Sequence, residues 1–184
     1  MSRHRQHAPV RVLLDNRFVG HFLKETSGAI HFQYHQDWLE WRDAVPVSLS
    51  LPLREDAYRG APVAAVFENL LPDSDALRQR VAEKVGTPGT DAYSLLSVIG
   101  RDCVGALQFV PEGTEPRNVS GITGEPVSDE AIEKLLNNLA RAPLGLDRDQ
   151  DFRISVAGAQ EKTALLWHEG KWLKPTAPPR PPIF

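Results

Sequence analysis

Proline and glycine divide this 184-residue chain into short segments, which limits the folds that it can adopt. Pro72 interrupts a run of apolar residues at helical spacing, and Gly86 and Gly100 follow two further helical patterns, at residues 74–85 and 91–99. The sequence therefore predicts several short helices and excludes one long one.

Strand patterns come before these helices. Residues 10–14 and 18–23 are rich in apolar residues, and the turn residues Asp15 and Asn16 between them predict a hairpin. Residues 46–53 alternate apolar and polar side chains between prolines, which predicts a half-buried strand.

The second half of the chain repeats this mixture. Residues 102–110 are predicted as a strand, and the glycine- and proline-rich residues 111–127 as a surface loop between subdomains. Ser128 is expected to cap a helix over residues 129–140, which has one apolar stripe. The fold class predicted is therefore α+β, with a small β-rich N-terminal subdomain that carries helices.

Composition narrows the classes of function. The net charge of −3 disfavours a free-standing nucleic-acid binder, and no apolar run reaches the roughly 18 residues of a membrane helix. The basic start carries no apolar segment of the secretory type, and the single cysteine, Cys103, allows no internal disulfide. We expect a cytoplasmic protein with no membrane partner.

A loop of small residues near the end of the sequence is a candidate phosphate-binding site. Ala157, Gly158 and Ala159 lie between two predicted strands, at residues 152–156 and 163–167. Small residues let a phosphate approach backbone N–H groups, and a nearby lysine can neutralise its charge. On spacing alone, both a plain β-turn and a phosphate-binding hairpin fit this pattern.

Longer motifs favour the second interpretation. The segment FRISVAGAQEKTALL at residues 152–166 resembles the ATP loop of HipA-type serine/threonine kinases, toxins of bacterial toxin–antitoxin pairs that are linked to persistence. The segments SLSLPL (48–53), FENLLPD (67–73) and LLSVIGRDCVGALQF (95–109) resemble the N-terminal subdomain of this family, in the same order. The resemblance covers roughly residues 10–173.

The resemblance implies a role for each site residue. Ser155 matches the autophosphorylated serine that turns the family's kinase off. The loop over the phosphates of ATP corresponds to Ala157, Gly158, Ala159, Gln160, Glu161 and Lys162. ATP and Mg²⁺ are the implied cofactors. The implied partner is a HipB-type helix-turn-helix antitoxin, through which DNA is reached indirectly, and the implied substrate is an aminoacyl-tRNA synthetase.

The resemblance also implies a division of the chain. Residues 1–9 are expected to be a flexible N-terminus, and residues 10–112 the N-terminal subdomain. Residues 128–174 are expected to form part of a kinase N-lobe, and residues 175–184 a proline-rich tail outside the core.

One departure from the family limits the expected activity. The family's catalytic base and Mg²⁺ ligands lie in a C-lobe that has no match here, so no catalytic residue is assigned. The spaced carboxylates Asp147, Asp149 and Asp151, and the pair His31 and His35, lack further ligands, so no metal site is predicted either.

Two interpretations of the chain remain. It is either a kinase shortened by truncation, frameshift or natural splitting and inactive alone, or a natural binding module. In the second case it docks on a separate kinase core or on an antitoxin. An unrelated α+β protein with a coincidental turn is disfavoured by the order of the motifs.

Overall fold

The computed structural model describes residues 7–102, 106–114, 124–138 and 165–175. In chain order, the elements in these ranges are β1 (Val10–Leu14), β2 (Arg17–Lys24), β3 (Ile30–Tyr34), α1 (Gln36–Leu39), β4 (Tyr58–Arg59), α2 (Ala61–Glu68), α3 (Asp75–Val85), α4 (Ala92–Ile99), a 3₁₀ turn (Gly100–Asp102), β5 (Leu107–Pro111), β6 (Gly124–Pro126), α5 (Asp129–Asn138), β7 (Leu166–His168) and β8 (Lys171–Pro175). The mixture of helices and antiparallel sheets confirms the α+β class.

Five strands form one antiparallel sheet in the order β4-β3-β2-β1-β5. The predicted hairpin is confirmed, since Asp15 and Asn16 join β1 to β2 with φ angles of 49° and 63°. Two consecutive positive φ angles make a turn whose twist matches that of the flanking strands. The register then places β5 beside β1, so that residues about 95 positions apart pair across the sheet.

Aromatic side chains fill the space between this sheet and its helices. Phe67 from α2 is fully buried, and its ring centroid lies 4.6 Å from Phe22, 5.6 Å from Phe32 and 5.2 Å from Phe109. These tilted and edge-to-face arrangements are the favoured ones for aromatic pairs. One helix residue therefore joins three strands of the sheet.

The predicted boundaries of the middle helices are confirmed. The Ser74 side chain accepts a hydrogen bond from Leu77 N at the start of α3, and Gly86 ends that helix in the left-handed conformation. Asp91 caps α4 by accepting a hydrogen bond from Ser94 N, and Gly100 follows the last helical residue. Local sequence signals were sufficient at all four ends.

The strand predicted at residues 46–53 is wrong. This segment forms turns, with a hydrogen bond from Leu51 N to Ser48 O, and the alternation does not correspond to two faces. Leu51 is buried, whereas Leu49 has 94% of its surface exposed. The hydroxyl of Tyr34 donates to Leu51 O, which holds the segment to the sheet through a side chain rather than through a ladder.

The strand predicted at residues 102–110 begins too early. Asp102 belongs to the 3₁₀ turn, and the strand starts at Leu107. The short strand β6 lies inside the segment that was predicted as loop. It was missed because three residues with one glycine and one proline carry no strand pattern, and only pairing with β8 defines them.

A second, smaller sheet has the order β6-β8-β7. The turn between β7 and β8 has positive φ angles at Glu169 (48°) and Gly170 (74°). The last strand extends through Pro175, a position where a strand tolerates proline because the ladder ends there. The helix that follows Ser128 starts at Asp129 as predicted, and the Ser128 hydroxyl accepts a hydrogen bond from Ala131 N.

Candidate functional site

The predicted phosphate loop lies outside the described residues. This holds for Ser155, for all six loop residues from Ala157 to Lys162, and for Asp147, Asp149 and Asp151. The structure does describe the hairpin that follows this segment, in which β7 starts at Leu166 and pairs with β8. The site predictions therefore remain predictions, and the described residues offer other features.

Glu68, in the FENLLPD motif, joins three helices. It is the last residue of α2, one of its carboxylate oxygens accepts from Ala92 N at the start of α4 (2.9 Å), and the other pairs with Arg78 of α3. Arg78 also donates to the carbonyl of Pro72 (2.6 Å). Both carboxylate oxygens of Glu68 are therefore used within the fold, one as a cap of α4 and one as the partner of Arg78.

A second polar junction links the helices to the sheet. Lys24 at the end of β2 donates to Asp91 at 2.9 Å, and the Ser94 hydroxyl donates to the same carboxylate oxygen at 2.6 Å. Burial opposes ionisation of Asp91, but the hydrogen bonds from Ser94 and Lys24 outweigh it and lower the pKa of this carboxyl. Asp91 is thus held as a charged cap rather than as a proton donor.

Aromatic and charged side chains line a shallow pocket beside β2 and α1. The Arg17 guanidinium lies 3.9 Å from the centroid of Trp41, and the Trp41 ring lies 5.0 Å from that of Trp38. Phe18 and Asp37 complete the lining. An arginine stacked on an indole, with a carboxylate in the same lining, suits binding of a protein side chain or peptide.

An apolar loop, residues 45–53, continues from this pocket. The indole of Trp38 donates to Val45 O at 3.1 Å, which fixes the start of the loop. Val45, Leu49 and Leu53 are 51%, 94% and 37% exposed. Several exposed apolar residues in one loop are typical of protein-binding surfaces. Sequence reasoning missed this surface because it assigned the same leucines to a buried strand face.

Two histidines of the sheet are shifted towards the neutral form. Burial lowers the pKa of His31, the positive charge of Arg59 lowers it further, and Glu25 opposes this in part. Its Nδ1 atom is buried without a hydrogen-bond partner and lies 3.6 Å from a Glu25 oxygen. Burial also lowers the pKa of His21. In the described part of the chain, no group of three or more His, Cys, Asp or Glu side chains could hold a metal ion.

Comparison with known proteins places this fold. Residues 10–110 match the family model described as HipA N-terminal domain. Among the described residues, no helix has the length and apolar character needed to span a membrane.

Three related proteins match different shares of the chain. The Sinorhizobium fredii protein named "Putative kinase Y4mE" is 33% identical over 174 residues, which are 91% of this chain and 41% of that protein. The serine/threonine-protein kinase toxin HipA of Shewanella oneidensis is 27% identical over 143 residues, 78% of this chain and 31% of that one. An uncharacterized protein of Haemophilus influenzae is 28% identical over 107 residues, 55% of this chain but 91% of that protein.

A solved structure agrees in fold. In the complex of HipA, HipB and operator DNA from Shewanella oneidensis MR-1, one chain superposes with a TM-score of 0.62 at 24% identity. The match covers 91% of this chain and 39% of that one, and this chain spans less than half of each of the two kinase-named relatives. With more than half of its residues matched by the family model, this chain belongs to the HipA N-terminal domain family.

Proposed function

We propose that this chain is the N-terminal portion of a HipA-type serine/threonine kinase toxin and carries the regulatory serine and the ATP-phosphate loop. One observation carries the proposal. The similarity to the kinase-named relative covers 91% of the chain, well beyond the N-terminal domain at residues 10–110 and into the segment that contains Ser155.

In this proposal the chain positions the phosphates of ATP but does not transfer a phosphoryl group. Backbone N–H groups of residues 157–162 would hold the phosphates of ATP, and Lys162 would neutralise part of their charge. Mg²⁺ bound together with ATP would supply further positive charge. Transfer also needs an aspartate that accepts the substrate proton and acidic ligands for Mg²⁺. No residue of this chain is assigned to those roles, so the chain by itself is proposed to be inactive.

Labelled ATP tests this directly. The chain, incubated with Mg²⁺ and an aminoacyl-tRNA synthetase, is expected to leave both proteins unlabelled, and its intact mass is expected to show no phosphate. A full-length HipA-type kinase added in trans serves as the positive control, and Ser155→Ala is the matched variant. Stoichiometric labelling by the chain alone that survives repurification would contradict the proposal.

The N-terminal domain is proposed to dock on a HipB-type antitoxin and to reach DNA only through it. This is supported by the fold shared with a chain of the HipA, HipB and DNA complex, and by the net charge of −3. The exposed apolar loop, residues 45–53, is the surface proposed to make the contact.

Two variants distinguish this contact from nonspecific association through exposed apolar residues. Leu49→Ser removes the most exposed leucine of the loop and leaves the core intact, and Val98→Ser changes another exposed residue, at 48%, on α4. Leu49→Ser should weaken co-purification with the antitoxin about 10-fold, as the loss of an interface anchor does, while Val98→Ser should not. Equal binding of Leu49→Ser and the unchanged chain would exclude this surface.

A second candidate function is a stand-alone binding module that docks on a separate kinase core. The Haemophilus influenzae relative favours it, because the shared region makes up 91% of that protein, which therefore consists of little more than this domain. Binding to an isolated kinase core with inhibition of its labelling activity would support the module. Labelling activity that appears only when the two chains are mixed would support a divided kinase.

A further inference from the structure

One face of the smaller sheet exposes two tryptophans. Trp167 of β7 and Trp172 of β8 are register partners, with ring centroids 5.0 Å apart at an interplanar angle of 64°. They are 57% and 38% exposed, whereas Leu173, which points to the opposite face, is buried. The sheet is therefore covered on one side and open on the aromatic side.

Such a pair is suited to proline-rich ligands. Three-stranded antiparallel sheets with exposed aromatic rings bind segments in the polyproline II conformation, because proline rings stack on indole faces and lose little conformational entropy. The pair also stabilises its own hairpin, but that alone leaves much of the Trp167 ring in water.

A proline-rich segment follows β8 in the sequence. Beyond the last strand it reads TAPPRPPIF at residues 176–184, with prolines at 178, 179, 181 and 182. Counted from Pro175, it contains three overlapping proline-x-x-proline repeats. We infer that this segment, residues 176–184, folds back in cis and docks on the Trp167 and Trp172 pair.

The distances allow this return. Trp172 lies three positions before the end of β8, which is about 10 Å at the usual rise of an antiparallel strand. Nine further residues in a polyproline II helix span about 28 Å. A reversal over the first few residues therefore leaves enough length for the prolines to reach both rings.

Charge fits the same arrangement. Arg180 is the only charged residue of the segment, and a guanidinium stacks well on an indole. Glu125 lies on the aromatic face beside its register partner Lys174, so the charges of this face balance and Arg180 would contribute through stacking on an indole rather than through an ion pair. Attachment through the strand also raises the effective concentration of the segment, so that a contact too weak to form in trans can form in cis.

Indole N–H signals in the nuclear magnetic resonance spectrum of the full chain provide the test. A variant with alanine at the four positions Pro178, Pro179, Pro181 and Pro182 keeps the length and charge of the segment and leaves the hairpin untouched. We expect the signals of Trp167 and Trp172 to shift in this variant and those of Trp38 and Trp41 to stay in place. A synthetic peptide of residues 175–184 should shift the two signals of the alanine variant back only at about millimolar concentration, which replaces the effective concentration that the tether supplies.

A second variant tests the charge. Arg180→Glu should give a smaller shift of the same two signals in the same direction. Unchanged Trp167 and Trp172 signals in the alanine variant would overturn the inference. A difference between the unchanged chain and the variant that grows with protein concentration would also overturn it, since the segment would then bind a second copy rather than its own chain.

Discussion

The two sheets of this protein use aromatic residues in opposite ways. In the five-stranded sheet, Phe22, Phe32 and Phe109 surround Phe67 and are removed from water. In the three-stranded sheet, Trp167 and Trp172 pair across a hairpin and remain exposed. The first arrangement joins residues far apart in the chain, while the second joins neighbours across a turn. We therefore expect the first sheet to set the stability of the protein and the second to serve binding.

Removal of the central aromatic ring should have the largest effect. Phe67→Ala leaves a cavity among three strands, and large-to-small changes of this kind cost about 3–5 kcal/mol of unfolding free energy. The matched change Trp167→Ala should cost less than about 1 kcal/mol, because an exposed cross-strand pair contributes little to global stability. Urea unfolding of both variants measures this. Equal losses of unfolding free energy would mean that the two sheets contribute equally to stability and unfold as one unit.

Loss of the Glu68 carboxylate should rank second. Glu68→Ala leaves Ala92 N–H and the Arg78 guanidinium without their shared acceptor, which costs about 1–3 kcal/mol. Glu83→Ala, on the exposed side of α3, should stay within about 0.5 kcal/mol. If both variants unfold at the same urea concentration, the junction between α2, α3 and α4 does not stabilise the larger sheet.

Acid should weaken the larger sheet through His31. Because its folded pKa lies below the ordinary value of 6.5, the unfolded chain binds more protons just below that pH. The contribution of neutral His31 is complete above pH 6.5 and is lost as pH falls through the folded pKa. Unfolding free energy measured between pH 7.5 and pH 5 should fall less steeply in His31→Gln than in the unchanged chain. Identical slopes would show that another group sets the pH dependence.

The smallest effects are expected from one substitution, glycine to alanine, made once beside each of the two sheets. Gly86 after α3 and Gly170 in the hairpin turn have φ angles of 71° and 74°, and a Cβ atom at either would meet nothing within 4 Å. Alanine costs about 1 kcal/mol at each through backbone strain alone. Gly86→Ala should lower the global unfolding free energy, whereas Gly170→Ala should speed amide exchange only in β7 and β8. A global loss in Gly170→Ala would remove the distinction.

Local signals in the sequence predicted the parts of the fold that local chemistry decides. Asp15 and Asn16 fix the first hairpin, and Ser74 and Gly86 mark the ends of α3, because turn and cap geometry depend on residues next to one another. The ordered motifs likewise identified the family from residues alone. The assignments of Ser155 and of residues 157–162 rest on those motifs and stay predictions.

Tertiary contacts decided the rest. The alternation of residues 46–53 favours a strand, yet the Tyr34 hydroxyl holds Leu51 O and leaves Leu49 in water, a result that depends on a residue 17 positions away. The strand β6 likewise exists only because β8 pairs with it. Sequence alone thus determined the elements whose hydrogen bonds close within a few residues. Those whose partners lie far along the chain, including the exposed apolar loop proposed for binding, were set by the packing of the sheet, because pairing and burial depend on the partner and not on the segment itself.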